Sequence, residues 1–363
     1  MNMKPKDRIL AVLNNQQTDR VPVDLWYTPE IGVQLKKHYN VDNDPDLYEA
    51  MGLDKMVCLA PGYNNPDDNE KSSSQAGAEA VESRTMWGVP LKKVQSGAAV
   101  YYEFGQPPLK DYNEPGQLKD YKFWPDPARF DYEGSKKEAQ NVSDRYATIG
   151  PWVSLFEIYC QMRGLEQSLM DVMTEPKLVD AILDRIEDCQ TKMLKRFIET
   201  LGNNLDMIFI SDDMAMQQNL LMPHDIWRKF FRPRMKKWCD LIHSYDKKVF
   251  YHSDGAVESL IPDLLDCGID ILNPIQHACP GMEIEKLKRN YGSRVVFHGG
   301  IDNQSVLPFG SPEDVRAEVK KCVETLGAGG KGYIVCSCHN VQAGTPIENV
   351  ITMVETAKSQ NRC

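Results

Sequence analysis

The sequence predicts an α/β fold: a single (β/α)8 TIM-type barrel with an irregular insertion over its C-terminal mouth. Three late strand-like runs carry this reading, because each ends in a polar cluster. Val249-Phe250-Tyr251 runs into His252-Ser253-Asp254-Gly255, Val295-Val296-Phe297 into His298-Gly299-Gly300-Ile301-Asp302, and Tyr333-Ile334-Val335 into Cys336-Ser337-Cys338-His339-Asn340. Each run is followed by a helix-like segment, and consecutive strand–helix units of about 25–40 residues describe parallel strands joined by right-handed crossovers. Side chains of metal-ligand or acid/base type at the C-terminal ends of such strands describe a barrel active site.

The elements follow in order. Residues 5–14 form a short amphipathic helix on Ile9, Leu10, Val12 and Leu13. Residues 20–26 make a first strand, a helix starts at Pro29, and residues 53–60 make a second strand. The stretch 61–145 is rich in Pro, Gly, Asp, Asn and Tyr, with a hairpin over Thr85–Leu91 and Gly97–Phe104. It is an elaboration within one domain spanning 1–363, and its loops are candidates for a lid or a docking surface. Its aromatics Tyr101, Tyr102, Phe104, Tyr112 and Phe123 suit a rim for a partner. Alternation resumes at 146–150. A long helix over 176–201 shows one apolar face through Leu178, Val179, Ile182, Leu183 and Ile186. Strand 206–210 and helix 223–245 follow. Then come strand 248–252, helix 256–266, strand 269–273, helix 282–290, strand 294–298, helix 312–326, strand 332–336 and helix 346–358.

Composition narrows the function. The 363 residues carry a net charge of −10, which argues against nucleic acid as a partner, since phosphate contacts need a basic surface. No run is long and apolar enough to predict a membrane span, and the N-terminus leads into no signal-type stretch. The ten scattered cysteines then read as reduced thiols of a cytoplasmic protein. Neither a phosphate-binding glycine loop nor a G-x-S-x-G elbow occurs.

Four clusters could carry chemistry. His252 and Asp254, two apart at a strand end, could share a metal or a proton, although Asp254 could equally cap the next helix. Cys336 and Cys338 would face one side of their strand, with His339 turned the other way unless the strand has ended. Thiolate and imidazole both suit zinc, and a catalytic zinc needs only three protein ligands. Of Asp212 and Asp213, one could cap a segment while the other points into the mouth. His298 and Asp302 flank a glycine pair that permits close backbone approach to a ligand. Glu157 follows an apolar run and would lie near the mouth.

The chain resembles the uroporphyrinogen decarboxylase superfamily. The resemblance rests on His252-Ser253-Asp254-Gly255, Ile261-Pro262-Asp263-Leu264, the run Gly268 to Gln276, Gly299-Gly300-Ile301-Asp302, and Cys338-His339-Asn340 with Thr345-Pro346-Ile347-Glu348-Asn349-Val350. Lys6-Asp7-Arg8 and Arg20-Val21-Pro22-Val23 match the family's usual opening. The resemblance implies one barrel with its site at the strand C-termini, and it offers two chemistries. Decarboxylases grip a tetra-acid porphyrinogen with early arginines, yet this chain has none between Arg20 and Arg84. The cobamide-dependent methyltransferase branch includes coenzyme M enzymes that bind zinc through a His-x-Cys pair and a later Cys. Here His252 matches the His, Asp254 replaces the Cys, and Cys338 or His339 would complete the set.

The expectation is therefore an enzyme that moves a methyl group from a small methoxylated or methylated compound to a cobalamin carried by a separate corrinoid protein. Zinc would be held by His252, Asp254 and Cys338 or His339, with Asp213 or His339 as proton donor. Glu157, Gln276, His298 and Asp302 are the residues expected to contact substrate. A porphyrinogen-type decarboxylase and a catalytically silent ligand-binding barrel are the alternatives.

Overall fold

The computed structural model describes residues 3–65, 83–96 and 99–360. Seven parallel strands form one curled sheet in sequential order: Met56–Cys58, Ala147–Val153, Met207–Ser211, Lys248–His252, Ile271–Asn273, Val296–Ile301 and Tyr333–Ser337. The predicted strand at 20–26 is reduced to single bridges, Val23 to Val335 and Tyr27 to Val341. Pro22 has no N–H to give, so the ladder there is short. The segment nevertheless spans the gap. Asp24 N–H donates to Val335 O at 2.8 Å, and Asp54 N–H donates to Val23 O at 2.7 Å beside the first strand. The architecture is that of a TIM-type (β/α)8 barrel.

Period-2 alternation fills the barrel interior. Met56, Ala147, Ile149, Met207, Phe250, Ile271, Val296 and Ile334 point inward and pack with Ile9, Val12 and Leu13 of the Pro5–Leu13 helix, which plugs the N-terminal end. Lys6 fixes that plug through its Nζ, 3.0 Å from Asp206. Trp26 and Phe209 close the interior toward the opposite end. The barrel is thus a packed core below and a cavity above.

Differences from the sequence expectations have local causes. The helix expected over 223–245 is two, His224–Phe230 and Arg232–His243. Pro233 has no N–H to continue the first helix and its ring would clash with the preceding turn. The hairpin pairs Pro90–Ser96 with Ala99–Phe104, and Ser83–Arg84 adds a third strand. Its first arm starts later than expected because Thr85 closes a turn, its Oγ1 accepting from the N–H groups of Trp87 and Val89, with Gly88 at φ +76°. Gly97 lies outside the described residues. The insertion packs on the 156–201 helices: Arg163, buried, pairs with Asp171 at 2.7 Å and donates to the carbonyls of Leu109, Lys110 and Tyr112. Of the proposed rim aromatics, Tyr102 and Phe104 are 57% and 55% exposed. Tyr112 and Phe123 pack against Tyr121 instead, and the Tyr101 side chain lies outside the described residues. The cysteines among the described residues are free thiols. No helix among them is long and apolar enough to cross a membrane.

Candidate active site

A cavity of about 820 Å³ opens at the C-terminal ends of the barrel strands. Its aromatic wall is Trp26, Tyr27, Tyr48, Trp152 and Phe209, and His252, His339, Asp213 and Glu157 supply its chemistry. The insertion contributes Glu138 to the lining.

His252 ends its strand, 6% exposed, with its ring stacked on Trp26 at 6.2 Å between centroids. Its Nδ1 lies 2.5 Å from Asn273 Oδ1. Its Nε2 faces two carboxylates, Asp213 at 3.8 Å and Asp254 at 3.9 Å. Ligand atoms of His252, Asp254 and His339 all lie within 4.8 Å of one another. Asp254 Oδ1 is buried and has no hydrogen-bond partner. Burial raises the Asp254 pKa above the usual carboxylate value, Asp213 raises it further, and His252 and His339 pull the other way. An unpaired, partly buried carboxylate beside two imidazoles is costly unless a cation joins it.

Cys338 is not part of this group. Its strand stops at Ser337, so the chain turns before the i, i+2 alternation can place both cysteines inward. The Cys338 thiol instead lies 3.3 Å from Ile275 O, and burial holds its pKa well above the ordinary thiol value. The same turn carries His339 to within 6.0 Å of the His252 ring.

The paired aspartates divide their work. Asp212 is buried, accepts from Ser154 Oγ at 2.5 Å and from the N–H groups of Leu155, Phe156 and Glu157, and so caps the Phe156–Arg163 helix from another strand. Burial pushes its pKa up to about 6 against those bonds. Asp213 lines the cavity and accepts from Asp254 N–H at 2.8 Å.

Glu157 faces the cavity, half-buried, and accepts from Ser211 Oγ at 2.8 Å. Burial, followed by the neighbouring Asp212, pushes its pKa from 4.5 up to about 8, so it carries a proton at neutral pH. Between those two values the folded chain binds more protons than the unfolded chain. Stability contributed by this group is therefore present below pH 4.5 and lost as pH rises through about 8. Glu157→Gln is expected to match the parent protein in acid and to exceed it above pH 8 by on the order of 2–3 kcal/mol, after allowance for solvent screening. Urea unfolding across pH checks this, and a pH-independent difference would count against the protonated state.

The other expected substrate contacts lie elsewhere. Gln276 accepts from Gly255 N–H at 2.5 Å and braces that turn, outside the main cavity. Asp302 accepts from the N–H groups of Gln304 and Ser305, closing a local turn. His298 is fully buried beneath the cavity, its Nε2 3.2 Å from Asp24. Conversely, Trp26, Phe209, Asn273, Asp24 and Lys55 were not singled out from the sequence as site residues. Alternation was the available signal: Asp24 and Trp26 continue the inward phase of their segment, as Phe209 does in its strand.

This arrangement, a barrel with a deep mouth cavity and an acid/base and metal-competent floor, is that of an α/β-barrel enzyme. Residues 95–360 match the uroporphyrinogen decarboxylase (URO-D) family, and the chain belongs to that family. It is 25% identical over 227 residues to the methylcobamide:CoM methyltransferase MtbA of Methanosarcina mazei, covering 61% of this chain and 62% of that protein. It is 29% identical over 235 residues to a uroporphyrinogen decarboxylase of Prochlorococcus marinus, covering 62% of each. These matches thus span less than two thirds of either relative. A solved methyltransferase structure from Methanosarcina mazei superposes with a TM-score of 0.66 at 19% identity, covering 98% of both chains, and shares the fold.

Proposed function

We propose that this chain is a corrinoid-dependent methyltransferase that takes a methyl group from a small methoxylated or methylated compound and passes it to a cobalamin carried by a partner protein. The grouping of His252, Asp254 and His339 on the floor of an aromatic-walled cavity carries the reading. Two imidazoles and a carboxylate with an unpartnered oxygen fit zinc with an open fourth position. The set is harder than a thiolate site, which suits an oxygen or nitrogen leaving group. A zinc ion there would supply Lewis acidity toward the donor heteroatom.

The chain's own residues do the remaining work. Trp26, Phe209 and Trp152 orient an apolar donor and limit water. When the methyl group departs, the heteroatom keeps the bonding electrons; an uncharged donor then needs a proton, whereas a cationic one leaves neutral without it. Glu157 holds a proton at neutral pH and faces the cavity, whereas His339 is committed to the zinc set. The cobalamin must arrive from outside, because the barrel interior is filled.

The cavity's charge weighs against the decarboxylase reading. Its lining includes the carboxylates Asp44, Glu138 and Asp213, the protonated Glu157 and, among the described residues, no arginine. Its two lysines are engaged, Lys36 with Asp44 and Lys55 with Asp24, each at 2.9 Å. Arg20 is taken up by Asp54 at 2.5 Å. A tetra-acid would meet carboxylates without free cations. The same lining disfavours a sulfonate acceptor and favours uncharged or cationic donors. Incubation with uroporphyrinogen tests the choice. Decarboxylation should be absent, and turnover of about 1 s⁻¹ or faster would favour the decarboxylase reading.

A further inference from the structure

Beneath the metal-competent group lies a buried line of polar side chains that the proposed chemistry does not use directly. His252 and Asn273 are register partners on adjacent parallel strands, and His298 sits at the same level on the next. His252 Nδ1 is 2.5 Å from Asn273 Oδ1, Asn273 Nδ2 is 2.7 Å from His298 Nδ1, and His298 Nε2 is 3.2 Å from Asp24 Oδ2. Asp24 Oδ1 then accepts from Lys55 Nζ at 2.9 Å. Asp24, Asn273 and His298 are each 0% exposed, so water does not compete along the line.

The direction of every bond follows from one group. Asn273 Nδ2 also meets the His298 backbone carbonyl at 3.4 Å, and a carbonyl only accepts. The amide face toward residue 298 is therefore the NH2, and the face toward His252 is the carbonyl oxygen. That oxygen can only accept, so His252 Nδ1 must carry hydrogen. By the same logic His298 Nδ1 accepts, and its proton sits on Nε2, where it donates to Asp24. Burial lowers the His298 pKa, consistent with a single ring proton. For Asp24, burial alone would raise the pKa, but Lys55 and His298 outweigh it and keep the carboxylate ionised.

We propose that Asn273, His298 and Asp24, with Lys55 donating to the far oxygen of Asp24 as its anchor, form a hydrogen-bond relay that runs one way from His252 to that carboxylate and fixes His252 in its Nδ1–H tautomer, so that the Nε2 lone pair faces Asp254, Asp213 and His339. These are positioning residues: they act through His252. A ligating histidine held through its second nitrogen binds metal more tightly, and loss of such a partner costs about 10- to 100-fold in affinity. The role given to the relay rests on the metal-site reading above, whereas the tautomer assignment does not.

Side-chain nitrogen NMR on ¹⁵N-histidine-labelled, metal-free protein reads the tautomers directly, with His252→Gln and His298→Gln used for assignment. The wild-type protein should show His252 protonated at Nδ1 and His298 protonated at Nε2. His252 protonated at Nε2, or averaging between tautomers, would overturn the relay. Zinc affinity by chelator competition is the second readout. Asn273→Leu should release the His252 tautomer and weaken zinc by about 10- to 100-fold. Asn273→Asp, which still offers an oxygen to His252 Nδ1 but no donor to His298 Nδ1, should keep the His252 tautomer and most of the zinc affinity while no longer fixing the His298 proton on Nε2; loss of the His252 tautomer in this variant would overturn the assignment. Should Asn273→Leu fail to fold, the wild-type spectrum and Asn273→Asp still decide. Correct tautomers in a protein that binds no zinc would uphold the relay and remove the metal reading. Unchanged tautomers in folded Asn273→Leu would overturn it.

Discussion

His252→Ala is expected to abolish methyl transfer, with a loss on the order of 10²–10³-fold or more, as for removal of a principal electrostatic stabiliser. The zinc content should fall with it, from about one equivalent per chain to near zero, because two remaining ligands make a poor zinc site. A strand-end position facing the mouth would by itself make the loss of His252 cost little stability. The structure revises that part: the side chain is 6% exposed, stacks on Trp26 and satisfies Asn273. Truncation leaves the Asn273 carbonyl oxygen buried without its partner, at a cost of about 1–3 kcal/mol. Asp254→Asn separates the two effects. It should also weaken zinc, yet stabilise the metal-free protein at neutral pH, because the native state raises the pKa of this carboxylate and so disfavours its charge. Metal analysis and thermal unfolding of the two variants check both halves. Full zinc occupancy in His252→Ala would exclude that residue as a ligand.

The largest effect on folding is expected at Asp54. This carboxylate is 0% exposed and lies between two guanidinium groups. Arg8 Nη1 contacts one oxygen, Arg20 Nη1 lies 2.5 Å from the other, and Val23 N–H donates at 3.0 Å. Arg8 also pairs with Asp19 at 2.6 Å. The cluster ties the plug helix and the Pro22–Leu25 segment to the first strand, and so fixes where Trp26 enters the cavity. Asp54→Ala leaves two arginines short of their partner, one of them buried, and should destabilise by about 3–5 kcal/mol. For a chain of 363 residues that corresponds to a fall in Tm of roughly 4–7 °C. A shift below about 2 °C would show that the pair's desolvation cost nearly cancels its attraction. The same contacts explain why Arg20, the last arginine before the insertion, does not serve the cavity.

The barrel was legible because its signal is local. Apolar runs such as Ile208 to Ile210 and Val249 to Tyr251 end in polar clusters, and period-2 alternation fixes which side chains face inward. His252, Asp254, His339, Asp213 and Glu157 were expected near the mouth on those grounds; His252, His339, Asp213 and Glu157 line the cavity, and Asp254 lies 3.9 Å from His252. The choice between Cys338 and His339 turned on whether the strand ended at residue 337, which alternation cannot tell. The helices Phe156–Arg163 and Leu165–Thr174 were missed for a different reason. The N-cap of the first, Leu155, has no accepting side chain, and locally only Ser154 Oγ accepts, from Glu157 N–H at 3.1 Å. That helix's N-terminus is otherwise satisfied by Asp212, more than fifty residues later in the chain. The relay through Asn273, His298, Asp24 and Lys55 joins opposite ends of the sequence across the closed barrel. Only closure of the sheet through the Val23 segment makes those residues neighbours. Gln276 and Asp302 carried the right chemistry at the right strand ends, but their oxygens are taken up by backbone N–H groups of nearby turns.

The central claim is methyl transfer, and one spectrophotometric measurement tests it most directly. Zinc-loaded protein is mixed anaerobically with cob(I)alamin, free or on a cognate corrinoid protein, and with a panel of uncharged and cationic methoxylated or methylated donors. The account predicts conversion to methylcobalamin with at least one donor, followed by its absorbance change, and loss of that conversion in His252→Ala. Zinc-loaded, folded protein that yields no methylcobalamin with any donor and either acceptor would contradict it.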